Sequence, residues 1–261
     1  MITSRQNERI KTIRSLRDCK AVYAFLEGPH LVREGMGSSI EIVELLMTPE
    51  FRETRAGDEL PVPLPIEPMM VSAGVLATVA DAGSPQGVLA VAELARSGVE
   101  AIPIVNDGIY VLLASIQDPG NLGALARSAE AAGASGVALG TGSVHPNHPK
   151  ALRASAGSLL RLPVAVGIEP QRLLAHLESA TPTLIALDSS SGRDLYSTEL
   201  AGTLVLALGS EGAGLSPELR SLADLRVTIP SAPRVESLNL TVAASVVLHE
   251  LARRRRVAVS D

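Results

Sequence analysis

Three short segments of this chain combine polar side chains with glycines in a pattern that suits ligand chemistry. They are IQDPGNLGALARSAEAAG (116–133), LVLALGSEGAG (204–214) and IPSAPRVESLNLTV (229–242). Each leaves an apolar, strand-like run, breaks into Gly, Ser, Asn, Glu or Arg, and resumes as a helix. Loops at the carboxyl ends of buried strands are where α/β proteins hold ligands, so three such loops predict one site. In the first, Arg127 stands in an otherwise Ala/Leu helix (ALARSAEAA). It either pairs with Glu130 at i+3 or points at a phosphate or an active-site carboxylate. Asn121 fits the N-cap after the turn Asp118-Pro119-Gly120, and Gly133 fits the C′ position. In the second, Gly209 and Gly212 would let a ligand approach the backbone, while Ser210 and Glu211 offer hydrogen bonds; a plain capping turn before Ser216-Pro217 is the alternative. In the third, Ser237 and Asn239 either cap the last helix or, with Glu236 beside them, line the site. Asp188 ends a further apolar run and serves either a ribose or a turn.

The elements that must carry these loops follow from periodicity. Apolar runs at Tyr110–Ile116, Gly136–Leu139, Pro163–Val166, Thr183–Leu187, Thr203–Leu208 and Arg226–Ile229 lack polar alternation. Helical segments lie between or after them, at Leu122–Ala132, Lys150–Leu160, Pro170–Ser179, Pro217–Ala223 and Leu240–Arg254. Continuous apolar strands separated by helices predict an α/β domain with a parallel sheet covered on both faces. Upstream, the pattern gives a smaller α/β unit. It has an amphipathic helix over residues 1–20, strands at Val22–Leu26, Ile42–Met47 and Gly87–Ala92, helices from Pro29 and around Val75–Ala80, and a Pro-rich crossing at Pro61–Pro68. Residues 96–104, with Gly98 and Pro103, read as a linker. The division is therefore 1–95, 96–104 and 105–261.

Composition narrows the function classes. Hydrophobic residues make up 46% and aromatics 2%, with no Trp, so aliphatic side chains fill the core and a base-stacking aromatic sheet is improbable. The net charge of −5 argues against indiscriminate nucleic-acid coating. A local basic patch remains: the first 20 residues hold six Lys/Arg against two acids, and Arg5, Arg9, Lys11 and Arg14 are its RNA-binding candidates. The single Cys19 forms no internal disulfide and suits a reducing cytoplasm. No apolar run reaches the ~18 residues of a membrane span. His145 and His148 form an H-x-x-H pair without a third ligand nearby, so no metal site is expected. GSEGAG lacks the G-x-G-x-x-G spacing and puts an acid where a pyrophosphate would lie, which disfavours a nucleotide-dependent oxidoreductase.

Taken in order, the three segments resemble the SpoU (TrmH) family of RNA 2′-O-ribose methyltransferases, within the SPOUT class. Asn121, Gly123 and Arg127 match its first motif, Gly209 to Gly212 its second, and Ile229, Pro230, Ser237, Leu238 and Asn239 its third. Residues 1–95, with SPQGVLAV at 84–91, resemble the family's L30e-like RNA-binding domain. The resemblance implies a deep trefoil knot in the catalytic domain, a rare exception to chain-connection rules. It also implies a homodimer through that domain and S-adenosyl-L-methionine contacted by Gly209, Ile229 and Leu238; Ser210, Gly212 and Asp188 are further cofactor-binding candidates. Arg127, Asn121, Glu211, Ser237 and Asn239 would then serve the reaction. Ribosomal RNA is the favoured substrate; transfer RNA, or a non-catalytic RNA-binding or ribosome-assembly role, are the alternatives. Ser231 and Pro233 replace the more usual Met and Gly of the third motif.

Overall fold

The structure, a computed structural model, describes residues 1–96, 98–189, 191–210, 214–232, 234 and 237–258. Two compact units result. One comprises Met1–Arg96 with His145–Arg161, the other Ser97–Val144 with Leu162–Asp261.

The first unit is built on a mixed sheet of β1 (Tyr23–Glu27), β2 (Glu41–Met47), β3 (Met69–Met70) and β4 (Val88–Glu93), in the order β1-β4-β2-β3. β4 is antiparallel to both neighbours, and β2 and β3 are parallel. Ile10 and Ile13 of the helix Glu8–Ser15 are buried with Phe25, Leu46, Val75 and Val91. The predicted strands and the helices from Pro29 and around Val75–Ala80 have counterparts within one or two residues, whereas the helix expected over residues 1–20 is shorter, Glu8–Ser15, because Asn7 caps its start, and a single 3-10 turn, Leu16–Asp18, follows it. β3 and the four-residue helices Pro49–Arg52 and Arg55–Asp58 were beyond sequence reading, because two to four residues carry no detectable period.

The segment His145–Arg161 lies in the sequence range expected for the second domain, yet it packs within the first unit. Its hydrogen bonds give the reason. Asn147, 1% exposed, donates from Nδ2 to the carbonyls of Lys20 (3.0 Å) and Leu94 (2.8 Å) and accepts from Arg96 Nε (2.9 Å). Arg153 pairs with the buried Glu27 (2.9 Å) and with Asp81 (3.0 Å). The single helix expected over Lys150–Leu160 is two, Pro149–Ser155 and Ser158–Arg161. Ala156 and Gly157 adopt φ of 48° and 94° and reverse the backbone between them.

Among the described residues the second unit holds seven strands: β5 (Ile109–Leu113), β6 (Gly136–Leu139), β7 (Val164–Val166), β8 (Thr183–Leu187), β9 (Arg193–Asp194), β10 (Leu204–Leu208) and β11 (Leu225–Thr228). Their order is β7-β6-β5-β10-β8-β11-β9, and every pairing is parallel. β5 and β10 are buried at every residue, as their unbroken apolar runs require. Tyr110, Leu112, Ala138, Leu184, Val205 and Ala207 join one core cluster. The helix Pro119–Ala131 starts earlier than predicted, and its N-cap is Asp118, not Asn121. Pro119 occupies the first helical position, where its fixed φ and missing N–H are tolerated, so the cap falls before it. Asp118 Oδ1 accepts from Asn121 N at 2.9 Å. Gly133 follows the C-cap with φ 76°, as expected.

Candidate active site at the carboxyl ends of the parallel strands

β5, β10, β8 and β11 are successive neighbours in the second sheet and run in one direction, so their carboxyl ends share one edge. Asn121 follows β5, Gly209 and Ser210 follow β10, Asp188 follows β8, and Ile229 follows β11. The strand ends from which these segments leave are thus neighbours, although the segments lie up to 108 positions apart in sequence.

The loop after β10 folds tightly on itself. Ser210 N donates to the Gly214 carbonyl (2.9 Å), and Gly214 N to the Ser210 carbonyl (3.0 Å). A Cβ on Gly209 would lie 2.0 Å from Gly214 C and 2.3 Å from Leu215 N, so only glycine permits this closure. Glu211 and Gly212 lie outside the described residues, as do Pro233 and Glu236. Asp188 is 3% exposed; its Oδ2 accepts from Ser191 Oγ (3.3 Å) and faces Arg220 Nε at 3.8 Å. In the third motif, Ser231 Oγ donates to the Ile229 carbonyl (3.2 Å), while Ser237 and Leu238 are exposed.

Two helices complete the edge. Asn239 Oδ1 accepts from the N–H groups of Thr241 (2.9 Å) and Val242 (3.3 Å), which makes Asn239 the N-terminal cap of the helix Leu240–Ala258. Thr241 Oγ1 donates to the Asn121 carbonyl at 3.3 Å, joining the third motif to the first. Arg127 is exposed, and among the described residues it has no hydrogen-bond or ion-pair partner. Among the described residues Arg127 and Glu130 do not pair with each other.

Comparison with known proteins decides the family. Residues 108–249 match the model of the SpoU rRNA methylase family, and residues 7–90 match the MRM3-like substrate binding domain. The chain belongs to the SpoU rRNA methylase family. An uncharacterized tRNA/rRNA methyltransferase of Synechocystis is 34% identical over 265 residues, covering 99% of this chain and 95% of the relative. The 23S rRNA (guanosine(2553)-2′-O)-methyltransferase RlmP of Bacillus subtilis is 29% identical over 254 residues, covering 96% and 98%. Among solved structures, the SpoU methyltransferase AviRb of Streptomyces viridochromogenes in complex with AdoMet superposes with a TM-score of 0.87 at 26% identity, covering 96% of this chain and 99% of that one.

The donor set at this edge fits the SpoU family's cofactor, S-adenosyl-L-methionine. A backbone-lined glycine loop suits an adenine edge. A buried carboxylate suits hydroxyl groups or a cationic sulfonium and opposes a pyrophosphate. Sequence reading missed Asp118, Thr241 and the pair Ser128 and Ser245, whose Oγ atoms are 2.7 Å apart. Their only signal is spacing: Ser128 follows Asn121 by seven residues and Ser245 follows Thr241 by four, each a return to the same helix face.

The basic candidates sit on the first unit, and all four are exposed. Arg9 pairs with Glu44 (2.9 Å) and Lys11 with Glu8 (2.7 Å), so these cations are partly neutralised. His145 and His148 each accept a nearby backbone N–H at Nδ1, from Asn147 and Lys150 at 3.1 Å. Burial, then the charges of Arg96 and Lys20, push His145 down to about 4. Among the described residues no group of three or more metal-binding side chains assembles, and no helix is long and apolar enough to cross a membrane. The arginines at the last helix's end are structural in part: Arg254 donates to the carbonyls of Thr198 (2.5 Å) and Leu195 (2.6 Å). Arg253 and Arg254 hold Glu250 at about 2.

Proposed function

We propose that this protein transfers a methyl group from S-adenosyl-L-methionine to a ribose 2′-hydroxyl of ribosomal RNA, of the 23S type. The observation that supports this reading is that β5, β10 and β11, the strands leading into the three motif segments, end on one edge of the parallel sheet. RlmP, which the chain matches over 98% of its length, gives the substrate class. The bound cofactor supplies an electrophilic methyl group, so the protein's tasks are alignment and charge stabilisation. Gly209, Ser210, Gly212, Ile229, Leu238 and Asp188 receive the cofactor. Arg127 grips the phosphate beside the acceptor ribose and stabilises the developing alkoxide. A guanidinium is a fixed cation with donors only, so this role is electrostatic and not that of a general base. Asn121, Glu211, Ser237 and Asn239 position the ribose; Asn239 does so with its Oδ1 already engaged as a cap, leaving its amide N–H groups for the substrate.

In this account residues 1–95 form the RNA substrate-binding domain, with Arg5, Arg9, Lys11 and Arg14 as phosphate contacts, residues 96–104 the linker, and residues 105–261 the SPOUT methyltransferase domain. That domain carries the trefoil knot and pairs with a second copy, in the cytoplasm where ribosomal RNA is modified. The reading is tested by incubating unmodified ribosomal RNA with methyl-labelled cofactor and digesting to nucleosides. Label is expected in a 2′-O-methyl nucleoside. Label in a base, or none with ribosomal RNA but strong labelling of transfer RNA, contradicts it.

A further inference from the structure

A chain of hydroxyl groups in the second unit, Thr241, Ser245 and Ser128, is given no task in the methyl transfer proposed above. Thr241, 8% exposed, donates Oγ1–H to the Asn121 carbonyl at 3.3 Å. One turn later, Ser245 Oγ lies 2.7 Å from both Ser128 Oγ and the Thr241 carbonyl, and Ser128 Oγ lies 3.2 Å from the Ala124 carbonyl. Each hydroxyl has one proton, and two arrangements satisfy all of them. Ser245 donates to the Thr241 carbonyl and receives Ser128, or Ser245 donates to Ser128, which donates to the Ala124 carbonyl. The interhelical bond exists in both.

Asn121 and Ser128 lie two turns apart, about 10.5 Å along one face of the helix Pro119–Ala131. The last helix therefore grips this one at two points, one at Asn121 and one at the neighbour of Arg127. Two grips set both the axial register and the rotation of the helix. Burial alone does not need them, because Leu125, Ala126, Ala129, Ala244, Val247 and Leu248 are all buried without polar help. Rotation matters for Arg127. At a helix radius of about 5–6 Å, a turn of roughly 10° moves a side-chain tip by about 1 Å. A displacement of that size near the reacting atoms can cost up to about 100-fold in rate.

We infer that Thr241, Ser245 and Ser128 are positioning residues for the methyl transfer: their hydroxyl bonds hold the helix that carries Asn121 and Arg127 at the angle the reaction needs. The inference rests on Arg127 acting as proposed above. The test uses the full chain, ribosomal RNA and labelled cofactor, with Thr241→Val, Thr241→Ser, Ser245→Ala, Ser128→Ala/Ser245→Ala and Arg127→Ala side by side. Thr241→Val and Ser245→Ala should each lower kcat about 5- to 30-fold, with KM for RNA and Kd for cofactor within about twofold. Thr241→Ser, which keeps the hydroxyl, should restore kcat, and the double variant should be no slower than Ser245→Ala. The inference is overturned if Thr241→Val and Ser245→Ala keep kcat within twofold while Arg127→Ala collapses it. It is equally overturned if Thr241→Ser is as slow as Thr241→Val and both simply follow a fall in Tm. Turnover that survives Arg127→Ala removes the role of Arg127, and the positioning role with it.

Discussion

Replacing Gly209 by Ala tests whether the closed loop after β10 is the cofactor's seat. The added Cβ would stand 2.0 Å from Gly214 C and 2.1 Å from its carbonyl oxygen, against an ordinary contact of 3.4 Å or more. The obstacle is backbone on both sides, so no rotamer change relieves it. Gly214 must retreat by about 1.4 Å, the difference between those two distances. That movement breaks the reciprocal bonds between Ser210 and Gly214, at 2.9 and 3.0 Å. Two neutral hydrogen bonds contribute about 1–3 kcal/mol together. If cofactor binding requires the closed loop, its Kd rises about 5- to 150-fold. Isothermal titration with S-adenosyl-L-methionine reads this directly. Gly83→Ala is the control, since nothing lies within 4 Å of a Cβ there, and it should bind as the parent does. A Gly209→Ala variant that binds cofactor within twofold of the parent would refute the reasoning. So would one that loses stability while its Kd stays unchanged.

Two further outcomes concern the first unit. Asn147→Ala removes three side-chain hydrogen bonds, one of them from Arg96, and strands two carbonyls beside a buried cavity; it should cost about 3–5 kcal/mol in urea unfolding, and a loss below about 1 kcal/mol would contradict the role given to Asn147. His145 is held neutral by burial, at about 4 against an ordinary 6.5, so the unfolded chain takes up its proton first as pH falls. Stability from this group is therefore complete above about pH 6.5 and is lost between there and about pH 4. After discounting for partial exposure it amounts to about 1–2 kcal/mol. His145→Asn should flatten the unfolding midpoint across that interval, and an unchanged slope would count against it.

The sequence made the second unit's frame legible because β5 and β10 are unbroken apolar runs, the signature of strands covered on both faces. The candidate site was read as three segments in order, but that the strands leading into them are neighbours depends on β10 lying between β5 and β8, which no periodicity encodes. Local errors had local causes. Pro119 moved the cap from Asn121 to Asp118, and the left-handed Ala156 split a helix that reads as continuous. The membership of His145–Arg161 in the first unit was invisible, since Arg153 finds Glu27 across 126 positions of chain. Thr241, Ser128 and Ser245 were passed over because hydroxyl residues inside helices ordinarily bond their own backbone. Only the packed pair of helices reveals the second partner.

The most direct measurement is single-turnover methyl transfer by Arg127→Ala with ribosomal RNA, alongside cofactor titration of the same variant. Removing a preorganised cation at the developing alkoxide should lower the transfer rate by about 100- to 1,000-fold. Cofactor Kd should stay within about twofold, because Arg127 is exposed and bonds no described residue of the cofactor loops. A rate within a fewfold of the parent, or a loss explained entirely by weaker cofactor binding, would contradict the account.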